Sequence, residues 1–150
     1  MPSSIVSNIK KVNKSPKVSS FFLRTSKFLN GIPFSLNTLI VACYKLANDL
    51  RLLASGPRCG IAELILPSNE PGSSIMPGKV NPTQCEALCQ VCMHLMGIHF
   101  SISIACSQGH FQLNANKTMI LFSLNRIITL LSDSIDSFIK RCLEGLDLNL

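Results

Sequence analysis

An all-α fold is the expectation, and two observations carry it. Three long stretches, about 36–53, 82–106 and 115–144, place apolar residues at 3- and 4-residue steps, the spacing of one helix face. The last keeps a period near 3.5 residues, which implies near-parallel packing against other helices with a left-handed twist.

The chain has 150 residues, enough for one modest domain. It is 47% hydrophobic and only 15% charged, which suits a piece whose faces are covered by more chain or by other subunits. Residues 87–116 carry no Asp, Glu, Lys or Arg. Gln90, His94, Gly97, His99 and several serines interrupt this run, so a buried helix is preferred to a membrane span. The chain opens without a signal peptide of the basic-apolar-small type. Seven cysteines, an odd count, read as free thiols in a reducing compartment.

Residues 1–35 form a divergent basic segment. The net charge is +6, and seven cations precede the first acid, Asp49. Pro2, Pro16 and Pro33 argue against a long helix here. The reading is a weakly ordered segment, with a short helix near 19–29. An acid-poor, basic, Ser-rich start is compatible with a mitochondrial transit segment or a plain basic tail. No interleaving of aromatic and basic residues suggests a nucleic-acid surface.

From Leu36 a helical face emerges: Leu36, Leu39, Ile40, Cys43, Leu46, Ala47, Leu50 and Leu53. Lys45, Asp49 and Arg51 read as its solvated face. Ser55-Gly56-Pro57-Arg58 ends it, and residues 59–71 are irregular, with Pro67 and Pro71 marking turns.

Gly72-Ser73-Ser74-Ile75-Met76-Pro77-Gly78-Lys79-Val80-Asn81-Pro82 then forms a Gly/Pro-punctuated loop that runs into a helix. Asn81 reads as the N-cap, Pro82 as N1 and Gln84 as N3 of a capping box. Free N–H groups and the positive end of the helix dipole, with Lys79 alongside, favour an anion, most simply a carboxylate.

The helix after the loop shows Leu88, Val91, Cys92, Leu95, Ile98, His99 and Ile102 on one face. Cys85-x3-Cys89-x2-Cys92 has the spacing of an iron–sulfur motif. A cluster needs thiolates converging from a loop, whereas these three fall inside a helical pattern, so they read as small buried residues. The last helix carries Ile120, Leu124, Ile127, Leu131, Ser134, Phe138 and Cys142 in register, widened by Ile128 and Ile135, with Gly145 as its stop.

GSSIMPGKVNP resembles the signature loop of the fumarase/aspartase superfamily. TQCEA after it and SGPRCGIAEL before it resemble class II fumarases more than the other members. GHFQLN at 109–114 is similar to the family's GHFELN turn, with Gln112 in place of Glu. The resemblance runs from about Leu36 onward. It implies that residues 36–150 are a partial central helical domain, part of a long-helix bundle. It implies reversible hydration of fumarate to (S)-malate, with no metal or organic cofactor. By the same resemblance, Ser73 is the catalytic base that takes a proton from the carbon beside a carboxylate. Lys79, Asn81, Ser74 and the Val80 backbone bind substrate. Glu86 orients a histidine from a THxQ-type segment, absent from these residues; His94, His99 and His110 lie in no such context.

The implied partners are a small dicarboxylate (fumarate or malate) and other subunits, as a homo-oligomer or with a full-length fumarase. Neither nucleic acid nor a membrane is expected. The compartment is mitochondrial or cytoplasmic. With the histidine segment and the family's C-terminal domain absent, the isolated chain is expected to be inactive. A non-catalytic partner role, or another superfamily lyase such as an aspartase, remains the alternative reading.

Overall fold

Three helices carry the architecture among the described residues, and α2 lies between the other two. The computed structural model describes residues 16–110 and 113–149, with side-chain surroundings from residue 31 onward. In chain order it has α1 (Pro16–Leu53), β1 (Leu64–Ile65), α2 (Thr83–Ser107), α3 (Lys117–Phe138), a π-helical turn (Ile139–Leu143) and β2 (Asp147–Leu148). α2 packs on α1 and on α3.

α1 corrects the expectation for the first 35 residues. It runs from Pro16 through Leu53 with no break at Leu36. Pro16 and Pro33 are not equal obstacles to this helix. Pro16 is the first helical residue, where a missing N–H has no intrahelical partner to lose. Only Pro33 removes a bond from the helix interior. The expectation for residues 1–15 lies outside the described residues. Downstream, Ile40, Ala47 and Leu50 are buried, with Leu36, Cys43 and Leu53 half-buried. Leu39 and Leu46 were placed on that face but are exposed, because the buried stripe is narrower than the apolar one. Lys45 pairs with Asp49 on the solvated side.

α2 buries residues on two sides: Cys85, Leu88, Cys89, Cys92, Leu95, Ile102 and Ala105. A helix covered by two neighbours needs apolar residues around most of its circumference. α3 buries Ile120, Ser123, Ile127, Leu131 and Phe138, close to the expected register, and leaves Ile128 exposed. The π-helical turn then carries Cys142 into the core, where its sulfur lies 3.9 Å from that of Cys85.

The turn between α2 and α3 is closed by side chains. Asn114 is buried and donates its amide to the Ala105 carbonyl at 2.9 Å, which also accepts the Gln108 N–H at the end of α2. Its Oδ1 accepts from the Asn116 backbone N–H at 2.8 Å, just before α3. Gln112 lies outside the described residues.

The strands were not expected. β1 and β2 pair antiparallel, Leu64 with Leu148 and Ile65 with Asp147. Asn149 extends the ladder, its N–H to the Glu63 carbonyl at 3.0 Å and its side-chain amide to the Ala62 carbonyl at 2.6 Å. Two-residue strands are too short to show alternation in a sequence. By length and composition alone, Thr83–Ser107 and Lys117–Leu143 could each cross a membrane. Core helices of a bundle pass the same test, and these two pack on each other through the buried residues named above.

Candidate active-site loop

The loop of residues 72–82 is held shut at its base. A Cβ built on Gly72 would stand 1.9 Å from the Lys79 carbonyl oxygen, so only glycine lets the two strands of the loop touch. Asn81 donates its side-chain amide to the Gly72 carbonyl at 2.9 Å across the same neck. Gly78 takes a φ of 76°, which turns the chain back toward that neck.

This geometry corrects the capping box. Thr83, not Pro82, is the first helical residue, and no side chain caps α2. Asn81 makes no capping bond, and its side-chain N–H closes the loop. Gln84 reaches α3, where its Oε1 accepts from the Ser137 hydroxyl at 3.3 Å. The first-turn N–H groups of α2 therefore lack a side-chain partner.

Ser73 sits half-buried at the start of the loop. Its Oγ accepts two backbone N–H groups, from Ile75 at 3.2 Å and from Met76 at 3.3 Å. Ser74, Lys79 and Val80 are exposed on the same loop, as are Ile75 and Met76. Lys79 makes no ion pair among the described residues. Glu86, half-buried in the first turn of α2, makes no side-chain hydrogen bond or ion pair among them either. Five of the six expected site residues thus share one loop, and Glu86 follows one turn into the helix.

Three participants escaped the sequence reading. Asn69 anchors the approach to the loop by donating to the Arg141 carbonyl at 2.8 Å. Asn149 ties the far end of the chain beside it. Arg51, read only as a solvated charge, lines a cavity together with Lys79. None of these contacts is local, so no spacing rule signals them.

The thiols beneath the loop are inert by environment. Burial, helped by the neighbouring Cys142, pushes the Cys85 thiol up to about 12. Burial likewise pushes Cys92 up to about 11. Among the described residues no group of three potential ligands is arranged to hold a metal ion. The CxxxCxxC spacing thus lies along a packed helix face and does not converge.

Residues 4–97 match the family model described as Lyase. The match starts well before Leu36 and ends within α2. The chain is 57% identical to the class II fumarate hydratase of Rickettsia felis over 116 residues, covering 77% of this chain and 25% of that one. It is 54% identical to the mitochondrial fumarate hydratase 1 of Arabidopsis thaliana over 115 residues, covering 77% and 23%. Among solved structures, the recombinant class II fumarase from Schistosoma mansoni superposes with a TM-score of 0.74 at 51% identity, covering 78% of this chain and 24% of that one. The fumarate lyase:delta crystallin from Brucella melitensis, in native form, gives a TM-score of 0.74 at 41% identity, covering 78% and 27%. The chain spans about a quarter of the length of the curated relatives it matches. With its helices, its loop and the family match in agreement, the chain belongs to the lyase family, on the class II fumarase side of the fumarase/aspartase superfamily.

Proposed function

We propose that this chain supplies the proton-abstracting loop of a fumarate hydratase, a hydro-lyase that interconverts fumarate and (S)-malate. The observation that carries the reading is the pair of N–H donors on Ser73 Oγ. A serine is a poor base in water. Donors aimed at its oxygen stabilise the alkoxide and lower the cost of deprotonation. The charge of Lys79 nearby in the loop acts in the same direction.

In this reading Ser73 removes a proton from the carbon next to one carboxylate of malate. The electron pair left on that carbon moves into the carboxylate, which becomes doubly negative. Lys79 offers that group a cation, and Asn81, Ser74 and the Val80 N–H offer hydrogen bonds. Asn81 has a second role in holding the neck of the loop. The electron pair then returns to form the carbon–carbon double bond as the hydroxyl on the neighbouring carbon leaves, taking a proton from an acid contributed by another segment to become water. The unpaired carboxylate of Glu86 suits the orientation of a histidine contributed by another segment. No metal or organic cofactor is called for by this sequence of steps.

Residues 36–150 would form part of the central helical domain of such an enzyme. Its site would be completed by other segments and subunits, in a homo-oligomer or beside a full-length fumarase. A mitochondrial or cytoplasmic setting fits the relatives, some of which are named mitochondrial. The test is a graft of residues 36–150 into a full-length class II fumarase. Fumarate hydration, followed by absorbance, should persist in the graft and be absent from the 150-residue chain alone. A correctly folded, correctly assembled graft without activity would contradict the proposal.

A further inference from the structure

The tail of the chain runs back along the segment that leads into the loop, and the β1–β2 pair is only the middle of that contact. Asn149 bonds Ala62 and Glu63, Leu148 pairs with Leu64, and Asp147 pairs with Ile65. Beyond the strands, Gly145 lies against Pro67, where an added Cβ would stand 3.0 Å from the proline Cβ. Asn69 then donates its side-chain amide to the Arg141 carbonyl at 2.8 Å. That carbonyl lies in the closing π-helical turn, where carbonyls run out of helical donors. The approach from Ala62 to Asn69 thus lies antiparallel to the tail from Asn149 back to Arg141.

The π-helical turn at the end of this contact touches both limbs of the loop. Arg141 holds Asn69, ahead of Gly72 on the entry limb. The next residue, Cys142, puts its sulfur 3.9 Å from that of Cys85, in the first turn of α2 on the exit limb. Asn69, Asn81, Cys85, Arg141 and Cys142 border one cleft of about 10 Å³, room for about one water. Between Asn69 and Gly72 stand Glu70 and Pro71. Proline fixes its own φ and holds the residue before it extended, so this link is short and stiff. A shift at Asn69 is passed on to Ser73.

We infer that Asn69 is a positioning residue: through its bond to Arg141, the tail sets where Ser73 stands relative to Lys79. The inference rests on the reading of Ser73 as the base and adds what holds it in place. Lys79 and Asn81 sit on the exit limb, which α2 carries, and Ser73 sits on the entry limb. The bond from Asn81 to Gly72 joins the limbs at one point. Asn69 supplies a second point, which stops the entry limb from pivoting about the neck.

Hydrogen exchange of the 150-residue chain, labelled for milliseconds to seconds and read by mass spectrometry, tests this without any activity. The peptide 72–82 carries the Ile75 and Met76 amides that donate to Ser73 Oγ. Asn69→Ala should speed their exchange about five- to tenfold, the net worth of one hydrogen bond. Asn69→Asp, which keeps the shape and loses the donor, should do at least as much. Asn69→Gln, which keeps the amide, should recover part of the protection. Lys140→Gln removes an ion pair from the same turn without touching Asn69 and should leave the loop rate unchanged. Exchange in the α2 core around Leu88 and Leu95 should stay the same in every variant. An unchanged loop rate in Asn69→Ala, an equal rise in Lys140→Gln, or an equal rise in the α2 core would each overturn the assignment. In the graft, Asn69→Ala should lower kcat about tenfold and raise KM less than about threefold, because Lys79, Val80 and Asn81 stay on the exit limb. A rise in KM with kcat unchanged would also overturn it. An unaltered graft without activity would count against the chemistry of Ser73 alone, because the exchange measurement reads the position of the loop and no turnover.

Discussion

Gly72 shows how one residue sets the shape of the loop. Its hydrogen lies where any other side chain would meet the Lys79 carbonyl. Gly72→Ala should force the neck open and move Ser73 relative to Lys79. In the graft this should cost about 10²-fold in rate, the scale of a 1 Å misplacement. Asn81→Ala would loosen the same neck by removing a single hydrogen bond, so its effect on stability should be smaller, about 1 kcal/mol. Measuring kcat and thermal stability for both variants separates a steric lock from a polar one. The sequence made the residue types legible here, because a Gly/Pro loop with adjacent Ser, Lys and Asn is a rare combination. It did not make their partners legible. A capping box and a loop-closing amide call for the same asparagine, and only the fold shows that Asn81 bonds Gly72.

At the level of the helices, periodicity worked where a helix has one buried face. Ile120, Ile127, Leu131 and Phe138 fall inside as the spacing of α3 predicts. It worked less well for α1, where a broad apolar stripe meets a single neighbour and Leu39 and Leu46 stay outside. It missed the π-helical turn, whose wider coil is invisible to a 3.6-residue template. It also missed the β1–β2 pair, which joins residues far apart in the chain.

The buried thiols of α2 lead to a prediction about pH. Cys85 and Cys92 ionise at about 12 and about 11 in the fold, against an ordinary 9.0. A raised pKa means that the unfolded chain gives up these protons first. Their contribution to stability is fully present below pH 9 and is lost as pH rises through 9 toward 12. Chemical denaturation followed by circular dichroism should therefore show a falling midpoint across that range. Under native conditions at pH 8, a maleimide should label exposed Cys59 before any core thiol. Rapid labelling of Cys85 would contradict the burial.

Across the whole molecule, the apolar surface outruns what three helices can cover. Phe100 on α2 is 67% exposed, and Leu121 and Phe122 on α3 are 69% and 73% exposed. Exposed residues of this size on adjacent helices call for a partner surface. The chain should self-associate, or stay soluble only with a partner, and reductant should make no difference. Sedimentation at micromolar concentration with reductant present reads this directly. A monomer that melts cooperatively and binds no apolar dye would show that these helices need no further cover. The low charge of the 87–116 stretch already pointed this way, although the sequence could not say which helix faces meet each other.

The central claim is that the loop performs proton abstraction through Ser73, and one rate constant tests it most directly. In the graft of residues 36–150 into a full-length class II fumarase, kcat for malate dehydration is measured with Ser73 intact and with Ser73→Ala. The account predicts a fall of roughly 10²–10⁴-fold, the scale of losing a positioned general base, with assembly and helicity unchanged. A kcat that stays within about twofold, a difference of under 1 kcal/mol in barrier height, would contradict it.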